Sequence, residues 1–182
     1  MNKVTLFDKT FKPYISHDTI MESIDKVAEK MNQDFGGCTD IPVILCVLNG
    51  SLMFTGELME RLNFNCQLVS IKLTSYSGTS TTGQVKQAMG LTADITGRRV
   101  IIVEDIVDTG KTIVELENIL KSHGASDIVV CTMLLKPEAL QVNVRLDYVA
   151  MEIQNKFIVG FGLDYNEIGR NLPEIYVLDE SK

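Results

Sequence analysis

The sequence predicts an α/β fold, a central and mainly parallel sheet flanked by helices, and three observations lead there. Continuous apolar runs such as Val43 to Leu48 and Val100 to Val103 read as strands buried on both faces, the signature of a parallel sheet. Stretches with apolar residues at helical spacing alternate with them along the chain. The 182 residues are of one-domain size, and no Pro-, Gln- or charge-rich linker or internal repeat divides them, so 1–182 is expected to be a single domain.

The elements follow in order. Ser16 or Asp18 can cap a helix that places Ile20, Ile24, Val27 and Met31 on one face and ends at Gly36-Gly37. Pro42 to Leu48 is the first buried strand, stopped by Asn49-Gly50. Ser51 then opens a helix with Leu52, Thr55, Leu58, Met59 and Leu62 as its inner face. Gln67 to Leu73 reads as a strand and is followed by the polar stretch 74–84, too long and too poor in apolar residues for an ordinary connection. Arg99 to Val103 is the second fully buried strand, running into Glu104-Asp105-Ile106-Val107-Asp108-Thr109-Gly110-Lys111-Thr112. The next helix turns Ile113, Leu116, Ile119 and Leu120 inward and ends at His123-Gly124, with Gly124 suited to a left-handed cap. Ile128 to Leu135, Tyr148 to Ile153 and the short Phe157 to Val159 complete the strands.

Charge and composition narrow the function. Seventeen Lys and Arg against twenty-four Asp and Glu give a net charge of −7, which argues against a nucleic-acid-binding surface because phosphate backbones need basic stripes. The same balance looks unfriendly to a phosphorylated substrate. No window approaches the apolar length of a membrane helix and the first residues lack a signal-peptide stretch, so the protein is expected to stay in the cytoplasm where it is made. Cys38, Cys46, Cys66 and Cys131 are scattered without a C-x-x-C pair, suggesting neither a zinc knuckle nor a disulfide framework. Cys46 and Cys131 lie in apolar runs as small hydrophobes.

In α/β sheets the ligand sits at the carboxyl ends of the strands, so the residues after Val103 are the first candidates. Gly110-Lys111-Thr112 resembles part of a triphosphate-binding loop, but that loop requires glycine where Asp105 stands. The backbone N–H groups of Asp108 to Thr112 still suit a single phosphate, because they open a helix after a tight turn at Gly110. A plain capping turn is the competing reading of that motif alone. The carboxylates Glu104, Asp105 and Asp108 tip the balance: so close together at a strand exit, they repel one another unless hydroxyls, backbone donors or a divalent cation engage them. A sugar diol and magnesium answer that requirement.

Val103 to Thr112 resembles the phosphoribosyl-pyrophosphate signature of the type I phosphoribosyltransferases, in the form of the hypoxanthine(-guanine) branch. Leu134-Leu135-Lys136 is similar to that family's purine-contact segment, and Phe157 to Glu167 to its base- and magnesium-binding stretch. Arg170 follows at the spacing of a pyrophosphate-contacting arginine. The motifs occur in family order over nearly the whole chain. The resemblance implies a small hood, formed by terminal segments, over the sheet. It also implies transfer of phosphoribosyl from phosphoribosyl pyrophosphate to a 6-oxopurine, with Mg2+ as cofactor.

By that resemblance, Glu104 and Asp105 hold the ribose hydroxyls and magnesium, and Asp108 is the general acid/base at the purine. Asp108, Thr109, Gly110, Lys111 and Thr112 cradle the 5′-phosphate. Lys136 contacts the exocyclic oxygen, Phe157 stacks on the base, Ile158 offers backbone groups to its edge, and Asp164 binds magnesium beside the base. Asn49, Gly50 and Arg170 face pyrophosphate. Ser75 and Tyr76 belong to a mobile lid at about 74–87, for which a flexible linker is the competing reading. Asn49 is a departure, since many relatives carry lysine or arginine there; the loop's backbone N–H groups and Ser51 would remain as donors. The family loop is often built around a cis peptide, here Leu48-Asn49. The partners implied are phosphoribosyl pyrophosphate and 6-oxopurines, with no nucleic acid and no membrane, in a homodimer or homotetramer. A phosphoribosyltransferase for xanthine or another base, or a nucleotide-sensing regulator without catalysis, are the alternative functions.

Overall fold

Alternation of apolar side chains along the buried strands assigns them to two opposite layers, and the computed structural model, which describes residues 2–75 and 86–181, has both. In chain order the elements are β1 (Val4–Leu6), β2 (Lys9–Ile15), α1 (His17–Phe35), β3 (Val43–Leu48), α2 (Leu52–Arg61), β4 (Gln67–Ser75), β5 (Lys86–Met89) and β6 (Arg99–Val107). Then follow α3 (Lys111–Ser122), β7 (Asp127–Leu135), β8 (Tyr148–Glu152), β9 (Ile158–Val159) and β10 (Ile175–Leu178). The main sheet has the order β5-β4-β3-β6-β7-β8, parallel throughout except for β5 at its edge.

Ile101 and Val103 of β6 face α1 and α2, meeting Ile20, Ile24, Met31, Phe54 and Leu58. Val100 and Ile102 face the other side and pack with Ile113, Leu116 and Leu120 of α3. Burying each such side chain contributes about 1.5–3 kcal/mol, so the two layers hold the sheet rigid beneath whatever its carboxyl end carries. Ser16 caps α1 by accepting from the Thr19 amide, and Gly124 takes the left-handed conformation after α3. Cys46 and Cys131 are buried in the core as read from the sequence.

Several elements differ from the sequence reading. The second buried strand does not stop at Val103 but continues to Val107, because β7 keeps pairing with it after its pairing with β3 has ended. Leu52 is exposed and Phe54 takes its place on the inner face of α2, beside Thr55 and Leu58, which face inward as expected. The short strand near Phe157 belongs to a second sheet. That four-stranded antiparallel sheet, ordered β1-β2-β10-β9, is the hood expected from the terminal segments. Its strands are short or irregular in pattern, and β2 contains Pro13, tolerated where β1 no longer pairs with it. Among the described residues no helix is long and apolar enough to cross a membrane.

Candidate active site

The strand order places the functional residues. β3 and β6 are neighbours, and the chain leaves them in opposite directions along the sheet, to β4 on one side and β7 on the other. Such a switch point opens a crevice at the carboxyl ends of the two strands. β6 pairs with β3 as far as Val103 and with β7 as far as Val107, so Glu104 to Val107 stand beside the turn that follows β3.

That turn is Asn49-Gly50-Ser51, and the peptide Leu48-Asn49 is cis. Asn49 is exposed and Gly50 buried. Ser51 departs from the expected role: its hydroxyl is fully buried, donates inward to the Val47 carbonyl at 2.8 Å and lies 3.3 Å from Cys46 Sγ. It fastens the turn and does not face a ligand.

Glu104 is buried, and its Oε2 has no hydrogen-bond partner among the described residues. Burial, then the charge of Asp105, pushes the Glu104 carboxyl well above its usual range. Burial likewise raises Asp105 to about 6, against the Ile106 amide, which donates to Oδ1 at 2.7 Å, and the positive charge of Arg170. Two adjacent carboxyls, Glu104 buried with an orphaned oxygen and Asp105 half-buried, form a hard donor set suited to a divalent cation. Among the described residues no three His, Cys, Asp or Glu side chains cluster as a metal cage. Such a cation would complete its shell with water and substrate oxygens, as magnesium commonly does.

Beyond β6 the chain turns at Gly110, whose φ of +81° suits glycine, and starts α3. Substitution there would also press a Cβ to 3.0 Å from Val142. A cavity of about 260 Å³ is lined by residues 104–110 with Thr112 and Ile113. The first amides of α3 have no helical carbonyl before them, which makes this cavity an anion cradle. On its other side the buried Lys136, just past β7, donates from Nζ to Asp108 Oδ2 at 3.0 Å.

A third group comes from the loop between β9 and β10. Arg170 donates from Nη1 to the Gly162 carbonyl at 2.7 Å, and its Nη2 pairs with Asp164 Oδ1 at 2.6 Å. Gly162 has φ +97°, and a Cβ there would lie 2.0 Å from the Gly50 carbonyl. The loop bearing Asp164 and Arg170 is thereby packed directly on the turn after β3. Phe157 is 43% exposed, with ring neighbours Phe11 and Tyr165, while Ile158 is buried in β9.

A crevice with a carboxylate pair, an anion cradle and a lysine–aspartate pair matches the expected signature, and comparison with known proteins decides the family. A model of the phosphoribosyl transferase domain matches residues 14–166. The chain belongs to the phosphoribosyltransferase family. It is 38% identical over 170 residues to the hypoxanthine-guanine phosphoribosyltransferase of Streptococcus pneumoniae, covering 93% of each chain. It is 36% identical over 177 residues to that of Streptococcus thermophilus, covering 96% of this chain and 97% of the other. Among solved structures, a hypoxanthine-guanine phosphoribosyltransferase of Bacillus anthracis superposes with a TM-score of 0.81 at 32% identity, covering 93% of this chain and 98% of that one. A hypoxanthine phosphoribosyltransferase of Trypanosoma cruzi superposes at 0.83 with 30% identity, covering 97% and 95%.

In this phosphoribosyltransferase the predicted residues fall into three groups. Glu104, Asp105, Asp108, Thr109, Gly110 and Thr112 line one cavity, and Lys111 begins the helix beside it. Lys136 is ion-paired with that group, and Gly50 meets the Asp164–Arg170 pair through Gly162, with Asn49 next to Gly50 in the same turn. Phe157 and Ile158 lie at the hood. Ser75 ends β4, whereas Tyr76 and most of the segment 74–87 lie outside the described residues. Gly162 was assigned no role from the sequence; a glycine beside a charged turn was the only signal, and its contact with Gly50 depends on tertiary packing.

Proposed function

We propose that this phosphoribosyltransferase acts in purine salvage, transferring the 5-phosphoribosyl group from phosphoribosyl pyrophosphate to hypoxanthine, and also to guanine. The products are the nucleoside monophosphate and pyrophosphate. The single observation that supports this most is the 3.0 Å pair of Lys136 and Asp108 beside the cavity at the start of α3. A cation and a carboxylate side by side can address adjacent atoms of one base: the ammonium donates to an exocyclic oxygen while the carboxylate accepts the ring N–H proton. A 6-amino purine cannot accept from the lysine, and the cost of leaving that buried donor unpaired is the basis of selectivity.

In this reading the amides of Asp108 to Thr112 bind the 5′-phosphate and Glu104 and Asp105 orient the ribose hydroxyls. Phe157 stacks on the base, and backbone groups at Ile158 meet its edge. As the bond to pyrophosphate lengthens, positive charge grows on the sugar beside the two carboxylates, and Asp108 takes the proton the purine sheds. The amides at Asn49 and Gly50, with Arg170, receive the departing pyrophosphate. Glu104 and Asp105 would hold magnesium at the ribose and Asp164 would bind it separately beside the base, each completed by water and substrate oxygens, and the metal would supply neutralisation of the pyrophosphate charge. The protein works in the cytoplasm as a homodimer or homotetramer, a question also posed for the Trypanosoma cruzi relative, whose C-terminal region was examined for its role in oligomeric state.

The test is direct. Purified protein with magnesium, phosphoribosyl pyrophosphate and hypoxanthine is expected to yield inosine monophosphate and pyrophosphate, and guanine to yield guanosine monophosphate. Turnover of xanthine alone would replace the substrate class, and no turnover with any base of a panel including adenine and uracil would sink the enzyme reading. Light scattering after size exclusion reads the oligomeric state.

A further inference from the structure

Strained backbone gathers around one side chain that the reaction does not use. Among the described residues the non-glycine positions with positive φ are, apart from Phe161, Phe7 at +51°, Asn166 at +49° and Glu167 at +68°, and Tyr165 stands among them. Phe7 and Asp8 form the two-residue tip of the β1–β2 hairpin, where Leu6 pairs with Lys9. A left-handed position at a hairpin tip suits asparagine or glycine, and a bulky aromatic there is an outlier that persists only where its surroundings hold it.

What holds it is Tyr165. The Phe7 ring, 61% exposed, meets Tyr165 edge-on at 6.0 Å. The next residue, Asp8, accepts from the Tyr165 hydroxyl at 2.7 Å, and Lys9 Nζ lies 5.5 Å from its ring centre. That hydrogen bond holds Asp8 below its ordinary carboxylate range and raises Tyr165. Tyr165 in turn packs edge-to-face on Phe157 at 5.7 Å, and it directly follows Asp164, the partner of Arg170.

We propose that the tip of the β1–β2 hairpin is a positioning element for the purine pocket: Phe7 and Asp8 fix the Tyr165 ring, and Tyr165 fixes the tilt of Phe157. The inference rests on the reading of Phe157 as the ring that stacks on the base. Tyr165, Phe7 and Asp8 are positioning residues, acting through Phe157 and touching no substrate. The strain at Phe7 then has a purpose, because a glycine or asparagine would make an easier turn but leave Tyr165 without its edge contact.

Three variants and one nucleotide-binding measurement test this. Phe7→Gly relieves the backbone and removes the ring; Tyr165→Phe keeps the ring and removes the hydroxyl; Asp8→Ala removes the acceptor. Each is expected to raise KM for hypoxanthine about three- to tenfold, with KM for phosphoribosyl pyrophosphate and kcat within about twofold of the parent. Phe7→Gly is expected to do so with an unchanged or higher melting temperature, which a merely structural role for the ring would not produce. Asp8→Ala added to Tyr165→Phe is expected to change KM no further, because both remove one hydrogen bond. An unchanged KM for hypoxanthine in Phe7→Gly and Tyr165→Phe, or equal increases in both KM values, would overturn the proposal. Calorimetric binding of inosine monophosphate separates the two readings. No binding by the parent protein overturns the purine site and this inference with it, whereas equal binding by parent and variants overturns the positioning role alone.

Discussion

The Asp105 carboxylate occupies the space that a side chain at position 50 would need: a Cβ on Gly50 would stand 1.6 Å from Asp105 Oδ2. The turn after β3 and the acid on β6 are thus in van der Waals register, and the Gly50 carbonyl is covered from above by Gly162. Gly50→Ala must push the carboxylate aside or lift the turn. Overpacking of this kind costs about 1–3 kcal/mol, and here the displaced groups belong to the proposed pyrophosphate and ribose sites. We expect kcat/KM for phosphoribosyl pyrophosphate to fall on the order of 10²-fold while the fold persists, since a misplacement near 1 Å costs about that much. Steady-state kinetics beside circular dichroism check this, and wild-type kinetics in the alanine variant would contradict the close approach.

The acid pair predicts a specific dependence of stability on pH. Asp105 has a folded pKa of about 6 against an ordinary 3.8, and Glu104 is also raised. A carboxyl that holds its proton more tightly when folded contributes stability fully present below its unfolded pKa and lost as pH rises through its folded pKa. Without divalent cations, the protein therefore loses this contribution between about pH 4 and pH 6. Asp105→Asn removes the titrating group, so its melting temperature should gain on the parent's between about pH 4 and pH 6 and hold that gain above, each kcal/mol being worth about 2–4 °C at this size. Millimolar magnesium should stabilise the parent more at the higher pH and the variant little. A difference in melting temperature independent of pH would show that the pair is not buried as described.

The sheet and the carboxylate cluster were legible in the sequence because fully buried strands are continuous apolar runs, and Glu104 and Asp105 interrupt such a run at its end. The hood was not legible residue by residue. β1 spans only Val4–Leu6, and β2 carries Pro13 and lysines, so its pairing depends on β10 from the far end of the chain. Ser51 misled for a related reason: a serine after a glycine turn looks like a ligand donor, and only the packing of α2 against β3 turns its hydroxyl inward to Val47. The first turn of a short helix is equally hard to place: in α2 Phe54 joins the expected Thr55 and Leu58 on the inner face and Leu52 is exposed.

In the proposed reaction the Lys136–Asp108 pair separates catalysis from selection. Asp108→Asn keeps the shape and loses the proton acceptor, so turnover should drop on the order of 10²-fold or more while affinity for the nucleotide product changes little. Lys136→Ala removes the buried donor and should narrow the preference for 6-oxo over 6-amino purines by at least about tenfold. A competition assay with hypoxanthine and adenine reads the second effect, and an unchanged ratio would remove Lys136 from the base site.

Arg170 acts on both the loop and the acids, and its replacement should reveal both. Its guanidinium pairs with Asp164 and holds the Gly162 carbonyl, and its positive charge opposes the upward shift of Asp105. Arg170→Gln removes that charge, so the Asp105 carboxyl should rise further and the acid limb of the kcat/KM profile should move to higher pH. Loss of the proposed pyrophosphate contact should also raise KM for phosphoribosyl pyrophosphate about tenfold or more. Arg170→Lys separates the contributions: a lysine restores the charge and hence the position of the acid limb, but cannot hold Asp164 and the Gly162 carbonyl in one planar fork, so KM stays elevated. If both variants left the acid limb where it is in the parent, Arg170 would be a loop fastener with no electrostatic hold on Asp105.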